Sequence, residues 1–348
     1  MTTSASENPR VSSLFTRLVR MWSVPLVLGS ILAFGWIKFV DQSDGSPALE
    51  ADPQPSLVDG NRAYGYLKAI CDIGPRIAGT EANAKQLTLV SDHFKKTGGT
   101  IRLQKFKTRH PLTGKPVEMV NLIGSWFLDR TDRVVLGAHY DTRPFPDMEP
   151  DPAKRRSPFL GANDGASGVA LLMEIANHLE KSPTPWGIDL VLFDGEELIY
   201  EDENHNRFGE FFLGSKEFAK QYKADRKKPT YRYAAGFVLD MVGDIDLSIA
   251  VEPMSHKLAG NLVREVWGIA ERLGIESFRQ EMGREVLDDH LPLNDVGIPT
   301  IDIIDFDYPH WHTASDVPAN CSGKSLADVG KVVTAWLNQP KAAKTRKR

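Results

Sequence analysis

Cysteine is scarce in this chain: Cys71 and Cys321 are the only two in 348 residues, and neither stands in a CxxC pair. A thiolate metal site is therefore not expected, and the two are read as free buried thiols, with a single disulfide outside the cytosol as the alternative. An excess of positive charge is also missing. Lysine and arginine total 42 against 46 acidic residues, a net charge of -4, so no long-range field gathers nucleic acid and such a partner is not expected. The sequence has no repeat of fixed period and no extended low-complexity tract, which argues against a solenoid or propeller. What remains is ordinary globular composition, 41% hydrophobic and 25% charged. That is enough chain for one large domain of roughly 250 to 300 residues.

Long charge-free runs are absent with one exception. Residues 21–37 (MWSVPLVLGSILAFGWI) carry no charge, and Arg10, Arg17 and Arg20 precede them. Seventeen residues is the lower limit for a spanning helix, and Pro25 with two glycines weakens helix propensity without forbidding insertion. The run is expected to be an uncleaved signal anchor. A cleaved signal peptide is the competing reading, but no convincing small-x-small cleavage site directly follows the run. A buried core helix fits poorly, because the polar, proline-bearing stretch 41–56 separates the run from anything it would pack against. The positive-inside rule then gives a cytoplasmic tail at 1–20, an anchor at 21–40, a linker at 41–58, a catalytic domain at 59–340 and a basic tail at 341–348. The catalytic domain is expected on the non-cytoplasmic side, periplasmic or extracellular, or secreted if the segment is cleaved.

Beyond the linker, short apolar runs alternate with helical patterns. Strands are predicted at 121–125, 134–138, 188–193, 235–239 and 300–304, most of them continuously apolar as in the centre of a covered, mainly parallel sheet. Helices are predicted at 81–96, 167–180, 213–222, 256–273 and 324–337. The expected fold is a single three-layer α/β/α domain around a mixed, mostly parallel sheet. His139 and Asp141 follow the second strand, Glu196 and Glu197 the third, Asp240 ends the fourth, and His312 lies in the loop after the fifth. In open α/β folds ligands bind beyond the carboxyl ends of the strands, so these residues converge.

Taken singly, a histidine after a strand is more often structural and adjacent glutamates are usually surface decoration. Together, ligand-type residues in the order His, Asp, Glu, Asp, His at strand ends point to a metal. Zinc suits imidazole nitrogen with carboxylate oxygen, and a catalytic site needs three protein ligands and one open position. Asp164, Glu197 and His312 meet that requirement. Glu197 is read as the ligand of the glutamate pair and Glu196 as the proton carrier, with a carboxyl raised towards neutrality by its surroundings.

The ordered motifs GTEANAK (79–85), AHYD, GANDGASG, FDGEEL, GSKEF, LDMVGD, DDHLP and WHT together resemble the zinc aminopeptidase and glutaminyl cyclase superfamily over roughly residues 60–338. The sequence DDH, then VGIPTIDII, then WHT is more similar to glutaminyl-peptide cyclotransferases than to ordinary aminopeptidases. The resemblance implies a single zinc on Asp164, Glu197 and His312, and Glu196 as general acid/base. It implies Asp240 and Asp288 as catalytic hydrogen-bonding carboxylates and Trp311 as a wall of the substrate pocket. His290 is placed in the same region, orienting the DDH loop by hydrogen bonding. The substrate is then a peptide or protein with a free N-terminal glutamine, cyclised to pyroglutamate with release of ammonia. A di-zinc aminopeptidase is the alternative, with His139 and Asp240 on a second metal and Asp164 bridging. A non-enzymatic ectodomain is a third reading, opposed by the intact ligand set. The pattern departs from animal cyclases after the glutamate pair, where LIYEDENHNRFGEFF leaves Tyr200, Phe208 or Phe211 as the pocket aromatic and the cysteine pair is absent. The charged stretch 147–156 (DMEPDPAKRR) is expected to be a solvated loop near the site mouth without function, with a role in substrate entry as the alternative.

Overall fold

The computed structural model describes residues 58–201, 206–226 and 230–341. The expected anchor at 21–40, the linker up to residue 57 and the basic tail from residue 342 lie outside the described residues. Among the described residues no helix is long and apolar enough to cross a membrane.

Six strands form the central sheet in the order β1-β2-β4-β3-β7-β10. They are β1 (Thr100–Arg109), β2 (Pro116–Trp126), β3 (Asp132–His139), β4 (Gly187–Phe193), β7 (Arg232–Asp240) and β10 (Thr300–Ile304). β4, β3, β7 and β10 run parallel, whereas β1 and β2 form an antiparallel flap joined to β4. The sheet is thus mixed, as expected. Seven α-helices are described, among them α1 (Gly60–Cys71), α2 (Glu81–Lys96), α3 (Ala166–Leu179), α4 (Leu213–Asp225), α5 (Pro253–Arg272), α6 (His290–Asp295) and α7 (Gly323–Leu337). β5 (Tyr200–Glu201) and β6 (Arg207–Phe208) make a small hairpin, and β8 (Ile249–Val251) pairs with β9 (Phe278–Met282).

Side-chain alternation along the strands builds two cores. Val134, Leu136 and Ala138 of β3 join Ile188, Leu190 and Leu192 of β4 in the larger one, beneath α1, α3, α5 and α7. Val135, Val191 and Phe193 face the other way, towards Phe218 and Tyr222 of α4 and Leu293 of α6. Trp267 and Trp336 are buried on their helices, and Cys71 and Cys321 are free buried thiols. Side chains also fix the helix starts: Thr80 accepts from the Asn83 amide at α2, and Glu252 accepts from Met254 and Ser255 at α5.

At the edge opposite the strand carboxyl ends, Arg133 holds Asp189 through two bonds of 2.8 and 2.9 Å and donates to the carbonyls of Trp126, Phe127 and Ile188. Both side chains are buried, so removing one strands the other's charge. Arg133→Met is expected to cost about 3–5 kcal/mol in urea unfolding. A loss under about 1 kcal/mol would mean that the hydroxyl donors Ser125 and Tyr233 satisfy Asp189 unaided.

Candidate metal centre and active site

Because β4, β3, β7 and β10 are parallel, their carboxyl ends share one edge of the sheet. The register brings them level: His139 lies beside Phe193, and Ile304 beside Asp240. The polar residues that leave these strands therefore meet, as expected for an open α/β sheet.

The loops are tied down by buried carboxylates. Asp141 accepts from the backbone amides of both Glu196 and Glu197, at 3.0 and 3.1 Å, and so aims the glutamate pair. Asp316 does the same for the Asp164 loop, accepting from the Asn163 and Asp164 amides at 2.8 and 3.1 Å. Gly165 then opens α3 with φ +94°, and a Cβ there would press the Asp141 carbonyl at 2.8 Å and the His139 ring at 3.1 Å. A glycine is needed for that approach.

Two donor clusters result, and they share Asp164. Its Oδ2 faces His312 Nε2 at 3.4 Å, and His312 Nε2 lies 2.9 Å from Glu197 Oε1. Its Oδ1 faces His139 Nε2 at 3.2 Å, which is also 3.2 Å from Asp240 Oδ1. Within each cluster the ligand atoms lie within 4.8 Å of one another. Asp164 Oδ2 and His139 Nδ1 are buried without a hydrogen-bond partner. Nitrogen and carboxylate oxygen converging on such an orphaned oxygen fit zinc.

The charges explain the need for a cation. Burial, then neighbouring Glu197, pushes Asp164 up to about 6. Burial also disfavours the Glu197 carboxylate, but Arg143 and His312 outweigh it and hold that carboxyl well below the usual range. Burial opposes a charge on His139, yet Asp240, Asp141 and Asp164 together raise its proton affinity well above that of an ordinary histidine. Glu196 is half-buried, and burial followed by adjacent Glu197 lifts its carboxyl well above the ordinary glutamate range. The two adjacent glutamates thus have opposite environments, one favouring the carboxylate and the other raising proton affinity.

Asp288 lies close enough to Asp240 and Glu196 for their charges to act on one another, and burial with Asp240 pushes it up to about 6. Behind it, His290 is fully buried, with Nε2 3.4 Å from Glu252 and Nδ1 3.5 Å from Asp302. His290, expected at the substrate pocket and orienting the DDH loop by hydrogen bonding, is instead enclosed between these two carboxylates, and neither ring nitrogen makes a hydrogen bond. Trp311 is half-buried and stacks on His312, with ring centroids 3.9 Å apart. Of the three aromatics left open by the sequence, Phe208 is exposed on β6 and Tyr200 packs beside His110. Phe211 lies 5.6 Å from the Arg143 guanidinium, which in turn lies 3.2 Å from Glu197.

Several residues escaped sequence reasoning: Arg143 and Asp147 beside His312, Asp316 under the Asp164 loop, and Glu252 and Asp302 around His290. Only Arg143 carried a signal, its place two residues after Asp141 in the AHYD motif. Asp147 also revises the view of 147–156 as a solvated loop, since its side chain is only 9% exposed and Glu149 is buried.

The model of Peptidase family M28 matches residues 121–337. The solved glutaminyl cyclase of Fimbriiglobus ruber is 41% identical, with a TM-score of 0.80, covering 85% of this chain and all of that one. A leucine aminopeptidase precursor from Bacteroides thetaiotaomicron is 30% identical, with a TM-score of 0.76, over 83% of this chain and all of that one. The mouse glutaminyl-peptide cyclotransferase-like protein is 23% identical over 80% of this chain and 76% of its own length. With its matched core, its paired donor clusters and these relatives, the chain belongs to peptidase family M28, within the zinc aminopeptidase and glutaminyl cyclase superfamily.

Proposed function

We infer that this protein is a zinc-dependent glutaminyl-peptide cyclotransferase, converting N-terminal glutamine of peptides or proteins to pyroglutamate. The observation that carries the reading is the likeness to a solved glutaminyl cyclase at 41% identity over that protein's whole length. The site supports it. Asp164, Glu197 and His312 would hold one zinc, which supplies Lewis-acid polarisation of the substrate's side-chain amide carbonyl.

The nucleophile is part of the substrate. Its α-amine nitrogen bonds to the side-chain carbonyl carbon, and the carbon–nitrogen bond to the departing amide nitrogen breaks. Glu196 accepts the proton from the α-amine and returns it to that nitrogen, which leaves as ammonia. Asp240 and Asp288, close enough to influence one another, with Asp288 acting also on Glu196, hold the proton-bearing groups in place. Trp311 and Phe211 wall the pocket with flat apolar surface, suited to the methylenes of a glutamine side chain.

A di-zinc aminopeptidase is the second reading, favoured by the His139, Asp164 and Asp240 cluster and by the aminopeptidase likeness. Zinc titration of the metal-free protein separates the two. Ammonia release from a glutamine-initiated peptide is expected to saturate at one equivalent of zinc. Activity that appears only at two equivalents would favour the paired-metal site.

We propose in addition that residues 21–37 tether the enzyme to a membrane with the catalytic domain on the non-cytoplasmic side, supported by their lack of charge and the arginines before them. Full-length protein is expected in the membrane fraction, its domain open to protease from the non-cytoplasmic face. Recovery in the soluble cytoplasmic fraction would refute the tether.

A further inference from the structure

His312 is the one candidate zinc ligand whose backbone is left-handed, at φ +55°, a conformation that a non-glycine residue holds only when its surroundings impose it. Glu197, Asp164, Arg143 and Trp311 surround the ring, and one further segment holds its backbone. The loop after Arg143 contains no helix or strand, yet it grips the His312 turn on both sides. The Met148 amide donates to the His312 carbonyl at 3.1 Å, and the Ala314 amide donates to Glu149 Oε2 at 2.9 Å.

Asp147 immediately precedes Met148 and Glu149 in the chain. Its Oδ1 is 2.9 Å from His312 Nδ1, on the opposite side of the ring from Nε2 and the Glu197 and Asp164 oxygens. The same carboxylate is 3.5 Å from Arg143 Nε and 3.4 Å from Arg207 Nη2. Its Oδ1 is buried and off the line of the ring N–H, so it makes no hydrogen bond as the ring stands. This buried carboxylate oxygen has two donors in reach, the Arg143 Nε–H at 3.5 Å and a proton on His312 Nδ1 at 2.9 Å, and the nearer of them is the ring.

A neutral imidazole carries one N–H and one lone pair, and a metal needs the lone pair. A carboxylate at the far nitrogen decides which is which, and it also raises the basicity of the coordinating nitrogen. We propose that Asp147 is the positioning residue of the metal centre: it accepts a hydrogen bond from the Nδ1–H of His312, which leaves the Nε2 lone pair for zinc, and with Met148 and Glu149 it holds the ring over Asp164 and Glu197. The proposal rests on the reading of Asp164, Glu197 and His312 as the zinc ligands. It gives the first part of the charged loop 147–156 a role that its composition conceals.

The test is zinc affinity, measured on the full chain by competition with a chromophoric chelator. Asp147→Asn keeps the size of the side chain but replaces one acceptor oxygen with a donor and removes the charge, and is expected to weaken zinc about 10- to 100-fold with one binding site retained. Asp147→Glu is expected to recover part of that loss, and the melting temperature of the metal-free protein should stay near that of the native chain. Equal affinity in native and Asp147→Asn protein overturns the proposal while leaving the zinc site standing. If Glu197→Gln also binds zinc as tightly as the native chain, the assignment of the metal centre itself falls. Nitrogen-15 spectra of the zinc-loaded native protein give an answer that needs no variant: His312 should carry its proton on Nδ1, and a proton on Nε2 with zinc on Nδ1 contradicts the assignment.

Discussion

Glu196→Gln is expected to lower ammonia release from a glutamine-initiated peptide by at least about 10²- to 10⁴-fold, the usual contribution of a general acid/base, while zinc content stays unchanged. The substitution preserves volume and removes only the ability to cycle a proton. The loop should keep its course, because Asp141 grips it through the backbone amides and not through the Glu196 side chain. Glutamine also avoids placing a charge against Asp288 and Glu197. Turnover and metal content measured on the same preparation decide the matter. A parallel loss of both would make Glu196 a ligand.

The adjacent substitution should behave in the opposite way. Glu197→Gln is expected to weaken zinc by more than about 100-fold, beyond what loss of an outer-shell partner costs, and to abolish activity at ordinary zinc concentration. Glu197 faces His312 Nε2 at 2.9 Å and receives the Arg143 backbone amide at 2.9 Å on its other oxygen. Arg143 and His312 keep it ionised, which is the form that binds a metal. A neutral amide in its place supplies a weaker oxygen and leaves the buried Arg143 guanidinium with Asp147 as its remaining close acid. The chelator-competition assay reads the effect directly. Native affinity in Glu197→Gln would move the metal to the His139 cluster. Two neighbouring glutamates thus separate two functions: one variant keeps the metal and loses the chemistry, and the other loses the metal first.

The parts of the fold that were legible in the sequence are those whose environment is uniform. β3, β4 and β10 are covered on both faces, so their apolar runs stand out, and the predicted strand at 300–304 coincides with β10. The predicted helix at 81–96 coincides with α2, whose Thr80 cap and apolar spacing agree. β1 was invisible because it is an edge strand that exposes most of its charged residues, with Gln104 alone buried. α6 is six residues long and lies inside the DDHLP motif, too short for any period to show.

The site followed the same logic. Glu196, Glu197 and Asp240 were legible because metal-ligand types fall where strands end, and Asp164 and His312 because their types complete the set from the loops before α3 and after β10. Asp147 was not, because it lies 165 positions before His312 and acts by contact across the fold. A stretch reading DMEPDPAKRR has the composition of a solvated loop, and residues 150–154 are exposed. Only folding shows that its first residues turn inward. His290 failed in the other direction: its motif placed it near the pocket, and burial between Glu252 and Asp302 put it underneath.

The central claim is tested most directly by incubating the zinc-loaded protein with two peptides, one beginning with glutamine and one with leucine, and weighing the products by mass spectrometry. A cyclotransferase removes the mass of one ammonia from the glutamine peptide and leaves the leucine peptide whole. Removal of the first residue from the leucine peptide, with no ammonia lost from the other, would make the protein an aminopeptidase on the same scaffold.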